Sequence, residues 1–103
     1  MRKISKVNNK KFKKKCMEMF NKYGITETGS NFYEYQLDTQ YGLLRLSVHD
    51  EEIFTYSIFT RFDEPEKAKE KFACNPYSGK YNFHCADMET TLNSFERFIK
   101  EVI

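Results

Sequence analysis

Two histidines (His49 and His84), three cysteines (Cys16, Cys74 and Cys85) and the run Ser78-Gly79-Lys80 are the parts of this 103-residue chain whose types and spacing invite chemistry. Two histidines brought together by a fold can act as the acid and base of a metal-independent ribonuclease, with Lys80 or Arg61 stabilising the phosphorane. His49 falls on the polar side of an alternating segment, open to RNA, and only the fold can bring it to His84. Ser78-Gly79-Lys80 invites a phosphate-loop reading. Such a loop needs G-x-x-x-x-G-K-[ST] between a strand and a helix, so that successive N–H groups wrap the phosphates. Here Cys74 stands at the first glycine position and Tyr81 follows Lys80, so a nucleotide-hydrolysing loop is rejected. A weaker anion site, from backbone amides near Gly79 and the Lys80 ammonium, stays open beside a plain turn in which Lys80 is solvated.

The cysteines and His84 do not match a zinc site, which is usually built from paired ligands two to four residues apart. His84 and Cys85 are adjacent, which on a strand sends their side chains to opposite faces. No metal and no cofactor is expected. Cys16 reads as core and the other two as fillers of small buried spaces. A Cys74–Cys85 disulfide is disfavoured in a reducing compartment.

Those residues need elements to position them, and the length implies a single domain spanning 1–103 with a small core. Ten Phe and seven Tyr supply large apolar side chains enough to build it. No run approaches the ~20 apolar residues that cross a bilayer, and no apolar segment follows the basic N-terminus as in a signal peptide. A cytoplasmic setting with reduced thiols is the expectation, without a membrane partner.

Charge is distributed unevenly. Residues 1–22 carry nine cations against Glu18 alone, leaving +8 for that segment and −6 for the rest of a +2 chain. A basic face of this kind attracts nucleic acid or an acidic protein surface, although a lysine-rich face can also serve solubility alone.

Residues 1–7 read as a flexible basic arm. Asn8 or Asn9 is a suitable helix cap, and Phe12, Cys16, Met19, Phe20 and Tyr23 then form one apolar stripe, with the lysines opposite. Gly24 stops that helix, and Thr26 to Asn31 is a polar loop. Phe32 to Thr39, Leu43 to Asp50 and Ile53 to Phe62 alternate as strands, joined by Gln40-Tyr41-Gly42 and Asp50-Glu51-Glu52. The third strand points Phe54, Tyr56, Ile58 and Phe62 inward and Thr55, Ser57, Phe59 and Arg61 outward. A short helix from Pro65 to Phe72 follows, then the loop Cys74–His84, a fourth strand over Tyr81–Cys85, and a last helix capped by Asp87. The fold class is α+β: a three- to four-stranded antiparallel sheet with two long helices on one face, in the order α-β-β-β-α-β-α. Arg45, Arg61, His49 and Phe59 put cations and an aromatic on the open sheet face, but Glu34 and Asp38 share it and no RNA-recognition signature is present.

The run Asn75-Pro76-Tyr77-Ser78-Gly79-Lys80-Tyr81-Asn82-Phe83-His84 follows a strand ending Arg61-Phe62-Asp63 and the helix segment Pro65-Glu66-Lys67-Ala68-Lys69. With Tyr41-Gly42-Leu43-Leu44-Arg45-Leu46-Ser47, it resembles a group of small proteins from phages and other mobile elements of Firmicutes and related bacteria. The likeness covers roughly residues 40–85. Some similar proteins are anti-CRISPR inhibitors of the type II effector nuclease that interfere with its guide-RNA-bound state. The resemblance thus implies an inhibitor of host CRISPR defence that binds the effector nuclease, its guide RNA, or both. In that account Asn75, Tyr77, Ser78, Lys80, Asn82 and His84 form the contact patch, and Lys10, Lys11, Lys13, Lys14 and Lys15 attract RNA phosphates. Two alternatives stand beside it: an RNA-binding or RNA-cleaving protein that uses Ser78-Gly79-Lys80 and His84, and a non-catalytic interaction module. The sequence leans to binding rather than catalysis. If a bond is broken, His84, Lys80 and His49 are the catalytic candidates.

Overall fold

A computed structural model describes residues 3–48 and 54–103. His49, the Asp50-Glu51-Glu52 turn and the expected strand start at Ile53 lie outside the described residues. The elements are α1 (Lys6–Lys22), β1 (Thr26–Glu27), β2 (Tyr35–Thr39), β3 (Gly42–Ser47), β4 (Tyr56–Phe62), α2 (Pro65–Phe72), β5 (Phe83–Cys85) and α3 (Met88–Val102). This is the expected α+β architecture and element order, with one short strand added. Among the described residues the sheet has five antiparallel strands in the order β1-β2-β3-β4-β5.

The extra strand is Thr26–Glu27, within the segment expected to be a polar loop, and it pairs with Tyr35 and Gln36 at the sheet edge. Both of its residues are exposed, so no burial pattern marks it. β2 starts at Tyr35 rather than Phe32, whose ring is 80% exposed. Phe54, expected to point inward, is exposed ahead of β4. Ser57, expected to point outward, is buried, as is Ser47 on the neighbouring strand.

α1 begins earlier than its asparagines suggest. Ser5 is the cap, its Oγ accepting the Asn8 amide at 3.1 Å, so Lys6 and Val7 are helical and not part of an arm. Ile4 also packs against the core. At the other end Ile25 N donates to Phe20 O (2.9 Å) and Gly24 N to Asn21 O (3.3 Å), with Gly24 at φ 72°. That pairing satisfies the last carbonyls and requires a left-handed residue where glycine stands. Asp87 caps α3, accepting from Thr90 N (3.0 Å) and Thr90 Oγ1 (2.6 Å).

α1 and α3 lie side by side on one face of the sheet and run parallel. Lys15 meets Glu89 and Lys22 meets Glu96, so advancing two turns along one helix advances two turns along the other. Between the helices and the sheet lie Phe12, Cys16, Phe20, Leu44, Leu46, Ile58, Phe62, Phe95 and Ile99, all buried. Phe12 packs edge-on against Tyr56 and Phe20 against Tyr35, which ties α1 across β4 and β2. Phe98 is the hub at the other end, with ring centroids of Phe62, Phe72, Tyr81 and Phe83 all within 5.8 Å of its own. Among the described residues no helix is long and apolar enough to cross a membrane.

Candidate nucleic-acid interface

The lysines of α1 fall on the side of the helix away from its Phe12-Cys16-Phe20 stripe. Lys15 is held by Glu89 at 2.9 Å and Lys22 by Glu96 at 3.0 Å, so the flank next to α3 is neutralised. Lys6, Lys10, Lys11 and Lys14 are exposed and form no ion pair among the described residues. Lys6, Lys10 and Lys14 succeed one another one turn apart. Lys6, Asn9, Lys10 and Lys13 line a shallow cleft of about 170 Å³.

This arrangement costs the helix stability in two ways. Like charges four residues apart repel, and cations oppose the positive end of the helix dipole, where α1 has no acidic residue in its first turn. A polyanion laid along the lysines reverses both terms.

The loop after α2 is a different kind of object. Tyr77 N and Ser78 N both donate to Asn75 Oδ1, at 2.9 and 3.0 Å. Gly79 N donates to Asn75 O at 2.8 Å, Lys80 N to Ser78 Oγ at 3.3 Å, and Asn75 N to Lys80 O at 3.1 Å. Pro76 has no N–H to give. Every amide from 75 to 80 is thus used inside the loop, and none is left to cradle an anion. Of the two readings left open for this run, the bonds favour the plain turn, since its amides are taken and none serves a weaker anion site near Gly79. The loop is pinned to β4 by Phe62 N donating to Gly79 O at 2.9 Å. A Cβ on Gly79 would come within 2.1 Å of Phe62 O.

Three of the six residues expected to form the contact patch therefore hold the fold. Asn75 caps the turn, Ser78 takes the Lys80 amide and the Arg61 Nε–H (3.1 Å), and Asn82 Oδ1 accepts the Thr60 amide (3.2 Å). Asn75 and Asn82 are exposed all the same, as are the other three, Tyr77, Lys80 and His84, with Tyr77 at 93%. Thr60 Oγ1 donates to Tyr81 O, and Tyr81 N to Thr60 O, which continues the β4–β5 register back to the Arg61↔Lys80 bridge.

Lys80 and His84 lie four residues apart on this extended edge, about 13 Å along the strand, too far for both to act on one phosphate from adjacent positions. His49, the expected partner of His84, lies outside the described residues. Burial pushes the Cys16 thiol up to about 12 and raises that of Cys74, which keeps both in the unreactive protonated form. All three cysteines are free thiols. Among the described residues no group of three His, Cys, Asp or Glu gathers as a metal site.

The α1 lysines and the loop residues do not share a surface. α1 covers the apolar face of the sheet, whereas Lys80 and His84 stand on the opposite face, in register with Arg61 and Ser57. Sequence reasoning missed that Lys80 sits directly beside Arg61, because the pairing of β5 with β4 crosses over α2 and leaves no local signal. Comparison of the chain with protein-family models, with curated proteins and with solved structures returns no match.

Proposed function

We propose that this chain is a non-catalytic binding protein that takes RNA onto the exposed lysines of α1. In keeping with the resemblance over residues 40–85, we assign the RNA as the guide of a type II CRISPR effector nuclease. The protein would then be a phage or mobile-element inhibitor of host defence. The observation that supports the reading is the line Lys6, Lys10 and Lys14, with Lys11 beside it, exposed and without carboxylate partners among the described residues. A helix carries such a line at a cost to its own stability, and a phosphate backbone offsets that cost on contact.

The test is a salt series of guide-RNA binding by fluorescence anisotropy. Each lysine that neutralises a phosphate of a single strand contributes about 0.7 to the slope of log affinity against log salt. Replacing Lys10, Lys11 and Lys14 with glutamine should lower that slope by about 2 and weaken binding at low salt. Unchanged affinity in the triple variant refutes the lysine-face reading. An interference assay with full CRISPR immunity in the protein's presence refutes the nuclease assignment. The labelled RNA should stay full length throughout; a product that disappears with His84→Ala would instead support the ribonuclease reading.

A further inference from the structure

We infer that the open face of the sheet is a second nucleic-acid site, one that takes a single-stranded segment. Its phosphates would lie along Arg45, Arg61 and Lys80, with a base on Tyr77. The register places Arg45 opposite Arg61, and Arg61 opposite Lys80, on three successive chain segments. Neighbouring strands are about 4.8 Å apart, so the row spans about 10 Å, enough to follow a backbone past more than one phosphate.

Like charges directly opposite one another destabilise a sheet. Among the described residues only Arg45 of the three is offset by a carboxylate, Asp63 at 2.7 Å. Among the described residues Arg61 and Lys80 have no ion pair, and both are exposed. The Ser78 carbonyl takes only the Arg61 Nε–H, which fixes the guanidinium beside the loop and leaves its outer nitrogens toward solvent. Of the acidic residues of this face, Asp63 follows Arg61 by two positions and is engaged by Arg45, while Glu34 and Asp38 sit on or beside β2, beyond Arg45 and away from Arg61 and Lys80.

Tyr77 supplies the second half of the site. It is adjacent to Ser78 and 93% exposed, on a turn whose amides are all bonded and whose glycine is wedged against Phe62. A large aromatic in water on a rigid support is organised in advance for stacking, so little side-chain or loop ordering remains to be done on binding. Cations beside such a ring suit a strand whose bases are unpaired, since a duplex hides its base faces.

This inference rests on the proposed function only in taking RNA as the polyanion, and the two surfaces can be tested apart. Tyr77→Trp gives the full chain its sole tryptophan. Titration with an unstructured oligouridylate should quench its fluorescence, and a blunt RNA duplex of equal charge should not. Lys80→Gln, a fully solvated change, should lower the salt slope for the oligouridylate by about 0.7, and Arg61→Gln with Lys80→Gln by about 1.4. Tyr77→Ala should weaken binding about tenfold, and Tyr77→Phe should restore it.

If the α1 triple variant binds guide RNA like the parent while the tryptophan quenching and the Lys80 effect persist, the proposed function fails and this inference stands. If the α1 variant loses binding while Lys80→Gln and Tyr77→Ala bind as the parent does, this inference fails and the proposed function stands. Equal quenching by polyglutamate overturns the nucleic-acid assignment of the sheet face.

Discussion

Gly24 and Gly79 make a matched pair for measuring how tightly the 74–82 loop is held. Their φ angles are nearly equal, 72° and 75°, so an alanine at either incurs the same left-handed penalty, about 1–2 kcal/mol. They differ in surroundings. An added Cβ at Gly24 meets nothing within 4 Å, whereas at Gly79 it lies 2.1 Å from Phe62 O and 3.1 Å from Phe62 C. Those atoms are backbone of β4, a central strand, and cannot swing aside as a side chain would. The loop must move instead, and moving it stretches the Phe62 N to Gly79 O bond of 2.9 Å, worth about 1 kcal/mol net. Off-ideal geometry in a segment fixed at both ends adds about 1 kcal/mol more. Gly24→Ala should therefore cost about 1–2 kcal/mol and Gly79→Ala about 3–4 kcal/mol. Urea unfolding followed by far-UV circular dichroism reads both, provided the m-value is unchanged. Equal costs within about 0.5 kcal/mol would refute the close approach and, with it, the rigid support claimed for Tyr77.

Three further outcomes follow from the packing and the titrating groups. Phe98→Ala removes the hub of the aromatic cluster and should destabilise by about 3–5 kcal/mol, read as a shift in the urea midpoint. The Glu96 carboxyl is held below its ordinary value by hydrogen bonds from the Tyr23 hydroxyl (2.7 Å) and then Lys22 (3.0 Å). A depressed carboxylate contributes stability that is present above its unfolded pKa of about 4.3 and lost as pH falls through the folded value. The gap in melting temperature between the parent and Glu96→Gln should accordingly be widest near neutrality and narrow as pH falls below the unfolded value of about 4.3 and through the lower folded one. In native protein a small disulfide reagent should label Cys85 at most, since Cys16 and Cys74 are buried with raised pKa values; urea should expose all three.

The parts of the fold that read clearly were those where local chemistry and the burial period agree. Pro65 with Glu66 opens α2 and Phe72 closes it, as the sequence predicts, and Asp87 caps α3. Tyr56, Ile58 and Phe62 alternate into the core as expected. The start of α1 was less legible, because Ser5, Asn8 and Asn9 are all good caps and neither Lys6 nor Val7 between them marks a buried side. β1 was hidden for another reason. It has two exposed residues and exists only because β2 offers it an edge. At the candidate site, residue types were visible and their duties were not. Asn75, Ser78 and Asn82 look like contact residues in sequence, and each commits its side-chain oxygen to a backbone N–H within the fold. Arg61 and Lys80 are 19 positions apart and become neighbours only through the β4–β5 register.

A chain whose helices cover one face of its sheet has two places left for excess cations: the outer side of the covering helix and the opposite face of the sheet. This protein uses both. The molecule is at least 25 Å across in any direction, and at physiological salt a charge is screened beyond about 8 Å. The α1 lysines and the Arg61–Lys80 row should therefore act on phosphates as independent groups, with additive effects. Combining Lys10, Lys11, Lys14, Arg61 and Lys80 replacements should lower the salt slope by about 3.5, the sum of the two separate losses. The measurement is the same anisotropy series on guide RNA, with circular dichroism to check that the fivefold variant is folded. A drop well beyond that sum would mean that one strand wraps both faces, so that losing either anchor weakens the other through effective concentration. A smaller drop would mean that the two surfaces compete for the same phosphates, which their placement on opposite sides of the sheet argues against.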